Sequence, residues 1–241
     1  MTSVLLLQPD NSRQRLVAAL KNAGINVFQH SFIQIIPITA TPDSLDGYDA
    51  VIWISKNAVD YAYQHGLKLT RPTAMYAVGP ATAAHAAKMF GQPCQCPVQQ
   101  HDSEKLLSLP DLQSLQGQRW AIVKGVGGRE LLADTLRARG ALLSLVTVYK
   151  REKKPLSSPH RLNEWVADVD TIVVTSAEQL SYFLAELPLQ ARSWIQSCHW
   201  VTPSERLSQL IPAAAADQIT ITQSASENAM IKALLNKGTS L

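Results

Sequence analysis

The sequence predicts an α/β protein of two similar doubly wound parallel-sheet domains joined by two extended linkers, with a ligand cleft between them, and three observations predict it. Short apolar runs alternate with amphipathic helical patterns along the 241 residues. The runs are rich in Val, Ile and Leu without polar alternation, as in strands buried on both faces. The chain also repeats itself at an interval of roughly 120 residues, so one α/β half has been duplicated in tandem.

The first half opens with "VLLL", a strand that Gln8-Pro9-Asp10 ends. Leu16 and Leu20 then mark the apolar face of a helix that Gly24 terminates, and a second apolar run follows around Val27. "FIQIIPITATP" (Phe32–Pro42) is extended. Runs near Val51 and Met75 follow as strands, each leading into a helical pattern, at "ISKNAV" and "AVGPATAA". "DSEKLLSL" closes the half, and "SLPDLQSLQGQ" (Ser108–Gln118) bridges to the next.

The second half restates this order. "AIVKGVGGRELLADTLRARGALL" (Ala121–Leu143) aligns without a gap on Leu5–Val27 at an offset of 116, pairing Arg129 with Arg13, Leu132 with Leu16 and Gly140 with Gly24. "VTVYKREKKPLSSP" (Val146–Pro159) is extended at the place of Phe32–Pro42. "VDTIVVTSAEQLSYFL" matches "YDAVIWISKNAVDYAY" at 121, pairing Asp170 with Asp49, Ser176 with Ser55 and Tyr182 with Tyr61. Strands near Trp200 and Ile219 follow, and "SASENAMIKAL" answers "DSEKLLSL". Two equivalent crossing points would let the halves exchange a piece, which periodicity alone leaves open.

Composition narrows the function. Hydrophobic content of 46% and charged content of 17% describe a folded globular protein. No stretch nears the roughly 20 apolar residues of a membrane span, and "VLLL" is too short for a signal peptide, so a soluble cytoplasmic protein without a membrane partner is expected. A net charge of +3 is too mild for a nucleic-acid partner and suits a small anionic ligand. Three cysteines make no disulfide framework. Cys94 and Cys96 form a C-x-C near His85 and His101, but no second pair completes a metal site, so no metal is expected. The glycines of "KGVGGRE" fit neither G-x-G-x-x-G nor a P-loop, which argues against a nucleotide.

Ligand sites in open parallel sheets lie beyond the carboxyl ends of the strands, where free N–H groups and the helix dipole favour anions. Five corners carry candidates: Ser55, Lys56 and Asn57; Gly79 and Thr82, with Pro80 between them; Lys124, Gly127 and Arg129; Thr175 and Ser176; and Ser204, with Arg206 beyond. Each also reads as an ordinary helix cap or turn. Several of them around one cleft would suit a ligand with many carboxylates. Tyr149 closes the strand "SLVTVY", where its phenol could donate a proton or simply pack. "KREKK" (Lys150–Lys154) reads as a solvated linker, with Lys150 and Arg151 near enough to a crossing to meet an anion. The six histidines have no partner that would make one a general base, and no G-x-S-x-G elbow is present.

In this order, "VLLLQP", "ISKNAV", "AVGPATA", "KGVGGRELLADTLRARGA", "VTVYKR", "VVTSAEQL" and "SASENAMIKAL" resemble uroporphyrinogen-III synthase over nearly the whole chain. The resemblance implies an exchanged first strand–helix unit, giving a discontinuous domain of residues 1–36 plus 153–241 and a middle domain of 37–147, with linkers near 33–40 and 147–154. It also implies cofactor-free closure of the linear tetrapyrrole hydroxymethylbilane to uroporphyrinogen III, with loss of water and inversion of the last ring. The enzyme it implies is a monomer, in transient contact with the bilane-producing deaminase. Tyr149 matches the tyrosine that assists departure of the hydroxyl, Ser55 and Thr82 match polar positions facing substrate, and Ser176 falls in the corresponding corner. The sequence departs from the family pattern at Leu7-Gln8-Pro9, where Thr-Arg-Pro is usual, at Lys124 for an arginine, and at "VTPSERL" for a Gly-x-x-Thr turn. A two-lobed anion-binding protein without catalysis is the alternative.

Overall fold

The computed structural model describes residues 2–9, 12–38, 44–98, 102–128, 130–156, 158–213 and 216–236. In chain order the elements are β1 (Ser3–Leu7), α1 (Gln14–Asn22), β2 (Asn26–His30), β3 (Ile33–Pro37), β4 (Ala50–Trp53), α2 (Lys56–Gln64), β5 (Ala74–Ala77), α3 (Pro80–Phe90), β6 (Cys94–Gln95), α4 (Ser103–Leu106), β7 (Arg119–Gly125), α5 (Leu131–Ala138) and β8 (Leu142–Lys153). They continue with α6 (Pro159–Asp168), β9 (Thr171–Val173), α7 (Ala177–Glu186), α8 (Arg192–Ser197), β10 (His199–Thr202), α9 (Glu205–Ser208), β11 (Ile219–Ile221) and α10 (Glu227–Asn236). The chain divides into two compact units, Met1–Gln34 with Glu152–Leu241, and Ile35–Arg151.

In the discontinuous unit the sheet order is β11-β10-β9-β1-β2, and every pair is parallel. The first strand is therefore central, which explains its unbroken apolar run. Leu5 and Leu7 pack on one face with Trp165, Phe183 and Trp200, while Val4 and Leu6 meet Leu16, Leu20 and Met230 on the other. Full burial of each such side chain contributes about 1.5–3 kcal/mol.

In the continuous unit the order is β3-β8-β7-β4-β5-β6. β4 is buried along its length and pairs in parallel with β7 and β5. The two-residue strand β6 has no periodic signal long enough to be seen in the sequence. Each unit repeats one device at the strand starts. Asp49 Oδ2 accepts the Arg119 N–H at 2.7 Å, and Asp170 Oδ2 accepts the Ser3 N–H at 3.3 Å. These matched carboxylates tie neighbouring strands together, so the duplication has preserved a structural contact.

One expectation is refined. Lys150–Lys153, where the chain passes from one unit to the other, belong to β8, and β3 lies beside them: Ile38 N donates to Val148 O at 3.0 Å and Gln34 Nε2 to Lys153 O at 3.4 Å. Lys153 Nζ also reaches Glu186 Oε1 at 2.5 Å, and this contact holds the Glu186 carboxyl below its usual range. The helix after Ser204, α9, is a single turn. The expected crossing Phe32–Pro42 is described only to residue 38.

Candidate active site

The carboxyl ends of β4, β5 and β7 lie side by side in the continuous unit and bring three of the five corners onto one edge. Ser55 caps α2, its Oγ accepting the Ala58 N–H at 3.2 Å. Lys56, the first residue of α2, is exposed, and Asn57 is half-buried. Gly79 caps α3 through its extended backbone, Pro80 occupies the first helical position, and Thr82 N donates to Gly79 O at 3.1 Å. Beyond β7, Gly127 and Gly128 take φ values of 73° and 96°, left-handed backbone that glycine adopts without strain. Lys124 precedes this turn, and its Nζ lies close over Gly128.

A recess of about 240 Å³ opens here, lined among others by Ser103, Lys124, Gly127, Tyr149 and Arg151. Ser103, at the first residue of α4, was signalled only by its place in the repeat. A second recess of about 400 Å³ adjoins the same glycine turn and shares Lys124 with the first. The lining thus combines cations, hydroxyls and turn amides, a composition suited to carboxylates.

Tyr149 occupies its place through an irregularity. Lys124 pairs with Thr147, but Gly125 pairs with Tyr149, which leaves Val148 as an extra residue in β8. Val126 N closes the bulge onto Tyr149 O at 2.8 Å. Consequently Val148 and Tyr149, adjacent in sequence, pack into the same cluster with Ala58 and Val59. The ring lies flat over Gly125, where an added Cβ would fall 2.5 Å from its Cε2 and Cζ. Tyr61 flanks it with ring centroids 5.8 Å apart, and Ser55 Oγ lies 3.2 Å from the Tyr149 hydroxyl. The side chain is only 4% exposed.

In the other unit, Ser176 caps the ten-residue α7, accepting from Gln179 N at 3.4 Å, with half-buried Thr175 beside it. Ser204 caps the short α9 and is exposed. At the end of β1, Gln8 is 7% exposed and its Nε2 has no hydrogen-bond partner among the described residues. Arg129 and His101 lie outside the described residues. Cys94 and Cys96 are half-buried, and burial pushes the Cys94 thiol up to about 12. Among the described residues no three His, Cys, Asp or Glu side chains are grouped to hold a metal ion, and no helix is long and apolar enough to cross a membrane.

A family profile described as "Uroporphyrinogen-III synthase HemD" matches residues 3–232. The chain is 31% identical over 244 residues to the uroporphyrinogen-III synthase of Escherichia coli (strain K12), covering 96% of this chain and 99% of that protein. It is 30% identical, with the same coverage, to the enzyme of that name from Salmonella typhimurium. Among solved structures, uroporphyrinogen-III synthetase from Helicobacter pylori 26695 superposes with a TM-score of 0.66 at 13% identity, covering 98% of this chain and 99% of that one. A mutant uroporphyrinogen III synthase from the extremely thermophilic bacterium Thermus thermophilus gives 0.57 at 16% identity, covering 98% of each chain. At such identities the structural likeness speaks for the fold alone.

Proposed function

The chain belongs to the uroporphyrinogen-III synthase family, and from that premise we propose that Tyr149 is the acid for closure of the linear tetrapyrrole hydroxymethylbilane to uroporphyrinogen III. The observation that carries this assignment is the phenol itself, seated at the recess between Gly125, Tyr61 and Ser55 and beside Lys124. The reaction is that of a cyclising lyase. Tyr149 Oη passes its proton to the departing hydroxyl, the C–O bond breaks with its electron pair on oxygen, and water leaves an electron-rich pyrrole as a stabilised cation. Ring closure then releases a proton that restores the phenol, so one water is lost overall.

Holding the substrate is the larger task, because the inverted ring must form ahead of simple head-to-tail closure. Lys56, Asn57, Gly79, Thr82, Lys124 and Gly127 take carboxylates in one unit, beside Ser55, and Thr175, Ser176 and Ser204 do so in the other. Helix starts and turn amides favour anions for the reasons given above. The chemistry asks for an acid and for positioning, with no cofactor. The protein acts as a monomer in the cytoplasm and takes the bilane from the deaminase that makes it. The non-catalytic anion-binding alternative is not favoured, since the matching relatives cover almost the whole chain.

The test supplies freshly generated hydroxymethylbilane, oxidises the products and separates isomers I and III. Isomer III should dominate, and Tyr149→Phe should lower kcat by about 10²-fold with the fold intact. Isomer I alone, at the spontaneous rate, would overturn the assignment of activity. Unchanged kinetics in Tyr149→Phe would remove the phenol from the mechanism.

A further inference from the structure

We infer that Ser55 is a positioning residue that fixes the direction of the Tyr149 phenol proton, an inference that rests on the acid role given to Tyr149. A serine hydroxyl has one proton and two acceptor lone pairs. The Ala58 N–H takes one lone pair of Ser55 Oγ at 3.2 Å, and the only other described partner of this hydroxyl is Tyr149 Oη, also at 3.2 Å. Either oxygen can be the donor. If the phenol donates to Ser55, its proton is spent inside the protein and the serine proton has no described acceptor. If Ser55 donates to the phenol, the Tyr149 proton is left for a substrate oxygen.

Of the two hydroxyls it is Tyr149 that lines the recess, so with the departing hydroxyl of the substrate in place the second arrangement satisfies both protons: Ser55 donates to Tyr149, and Tyr149 donates to the substrate. The same donation stabilises the negative charge that grows on the phenol oxygen as its proton leaves. Gly125 and Tyr61 hold the ring, and Ser55 orients what the ring carries. The helix cap therefore does two jobs with one oxygen: it ends the α2 backbone and aims the acid. It joins residues 94 positions apart in sequence.

A double-mutant cycle on the full chain tests this. Glycine is nearly as good a helix cap as serine, so Ser55→Gly removes the hydroxyl with little loss of the cap. It should lower kcat about ten- to a hundredfold, the worth of a hydrogen bond to a charged group, with a smaller change in KM. Ser55→Thr, which returns a hydroxyl, should recover most of that loss. Added to Tyr149→Phe, Ser55→Gly should cost nothing further in kcat. If it lowers kcat by the same factor in both backgrounds, or in neither, Ser55 does not act through the phenol and the inference falls. If Tyr149→Phe alone leaves kcat unchanged, the acid assignment falls first and takes this inference with it. Thermal midpoints of all four proteins separate loss of fold from loss of rate.

Discussion

Gly125 shows how narrowly one residue can be constrained without any unusual backbone angle. Its φ is ordinary, and the constraint is the Tyr149 ring lying on its Cα. In Gly125→Ala the new methyl would force the ring aside, because both neighbours are part of a packed sheet and neither can withdraw. The expected outcome is a stability loss of about 1–3 kcal/mol from overpacking. It should come with a fall in kcat approaching that of Tyr149→Phe; chemical denaturation and steady-state kinetics on the same preparation check both. Wild-type kcat in the alanine variant would show that the ring can shift without consequence. The position of Tyr149 was only half legible in the sequence. Its place at a crossing strand could be read, but strict alternation along "SLVTVY" puts it on the face opposite Val148. The bulge that brings both residues to one face leaves no mark in composition, because Val148 is an ordinary strand residue. Nor could its contact with Ser55 be read, since nothing local joins residues so far apart. Ser55, Ser176 and Ser204 were legible as caps because capping is a local matter.

Among the elements, the repeated strand–helix unit offers an internal control. Gly24 after α1 and Gly140 after α5 are equivalent residues with φ values of 74° and 92°. A side chain on Gly24 would meet nothing within 4 Å, whereas one on Gly140 would run into the Gln116 side chain and come 2.9 Å from its Cα. Gly24→Ala should therefore cost about 1–2 kcal/mol, the conformational term alone. Gly140→Ala should cost a further 1–3 kcal/mol or so, because backbone atoms cannot give way. Denaturation midpoints of the two variants decide; equal losses would mean the Gln116 segment moves freely. The two helix stops were readable from the repeat, but their unequal surroundings were not, since Gln116 belongs to the bridge between the repeats. The same limit applies to β8. Its basic end could be read as a crossing but not as a paired strand, because charge along a chain says nothing of the neighbouring strand that pairs with it.

For the molecule as a whole, a substrate with many carboxylates and a set of cationic, hydroxyl-bearing corners predict electrostatic capture. KM should rise as ionic strength passes from about 0.01 to 0.15 M, over which the screening length falls from about 30 to 8 Å, while kcat changes little. Initial-rate measurements across that range check this, and a flat KM would mean that shape rather than charge holds the bilane. The place of the first strand has a different kind of consequence. Unit Ile35–Arg151 is continuous, but β1 finds its partner β9 only across a separation of 167 residues, as the Ser3–Asp170 contact records. At a synthesis rate of about 5–20 residues per second, that separation is a wait on the order of ten to thirty seconds. During that time the leucines of β1 have only β2 and α1 to cover them, and the middle of the chain can complete its own sheet. Newborn chains should therefore pass through a state folded at the centre and unfinished at both ends, the state in which a ribosome-bound chaperone would find most to hold.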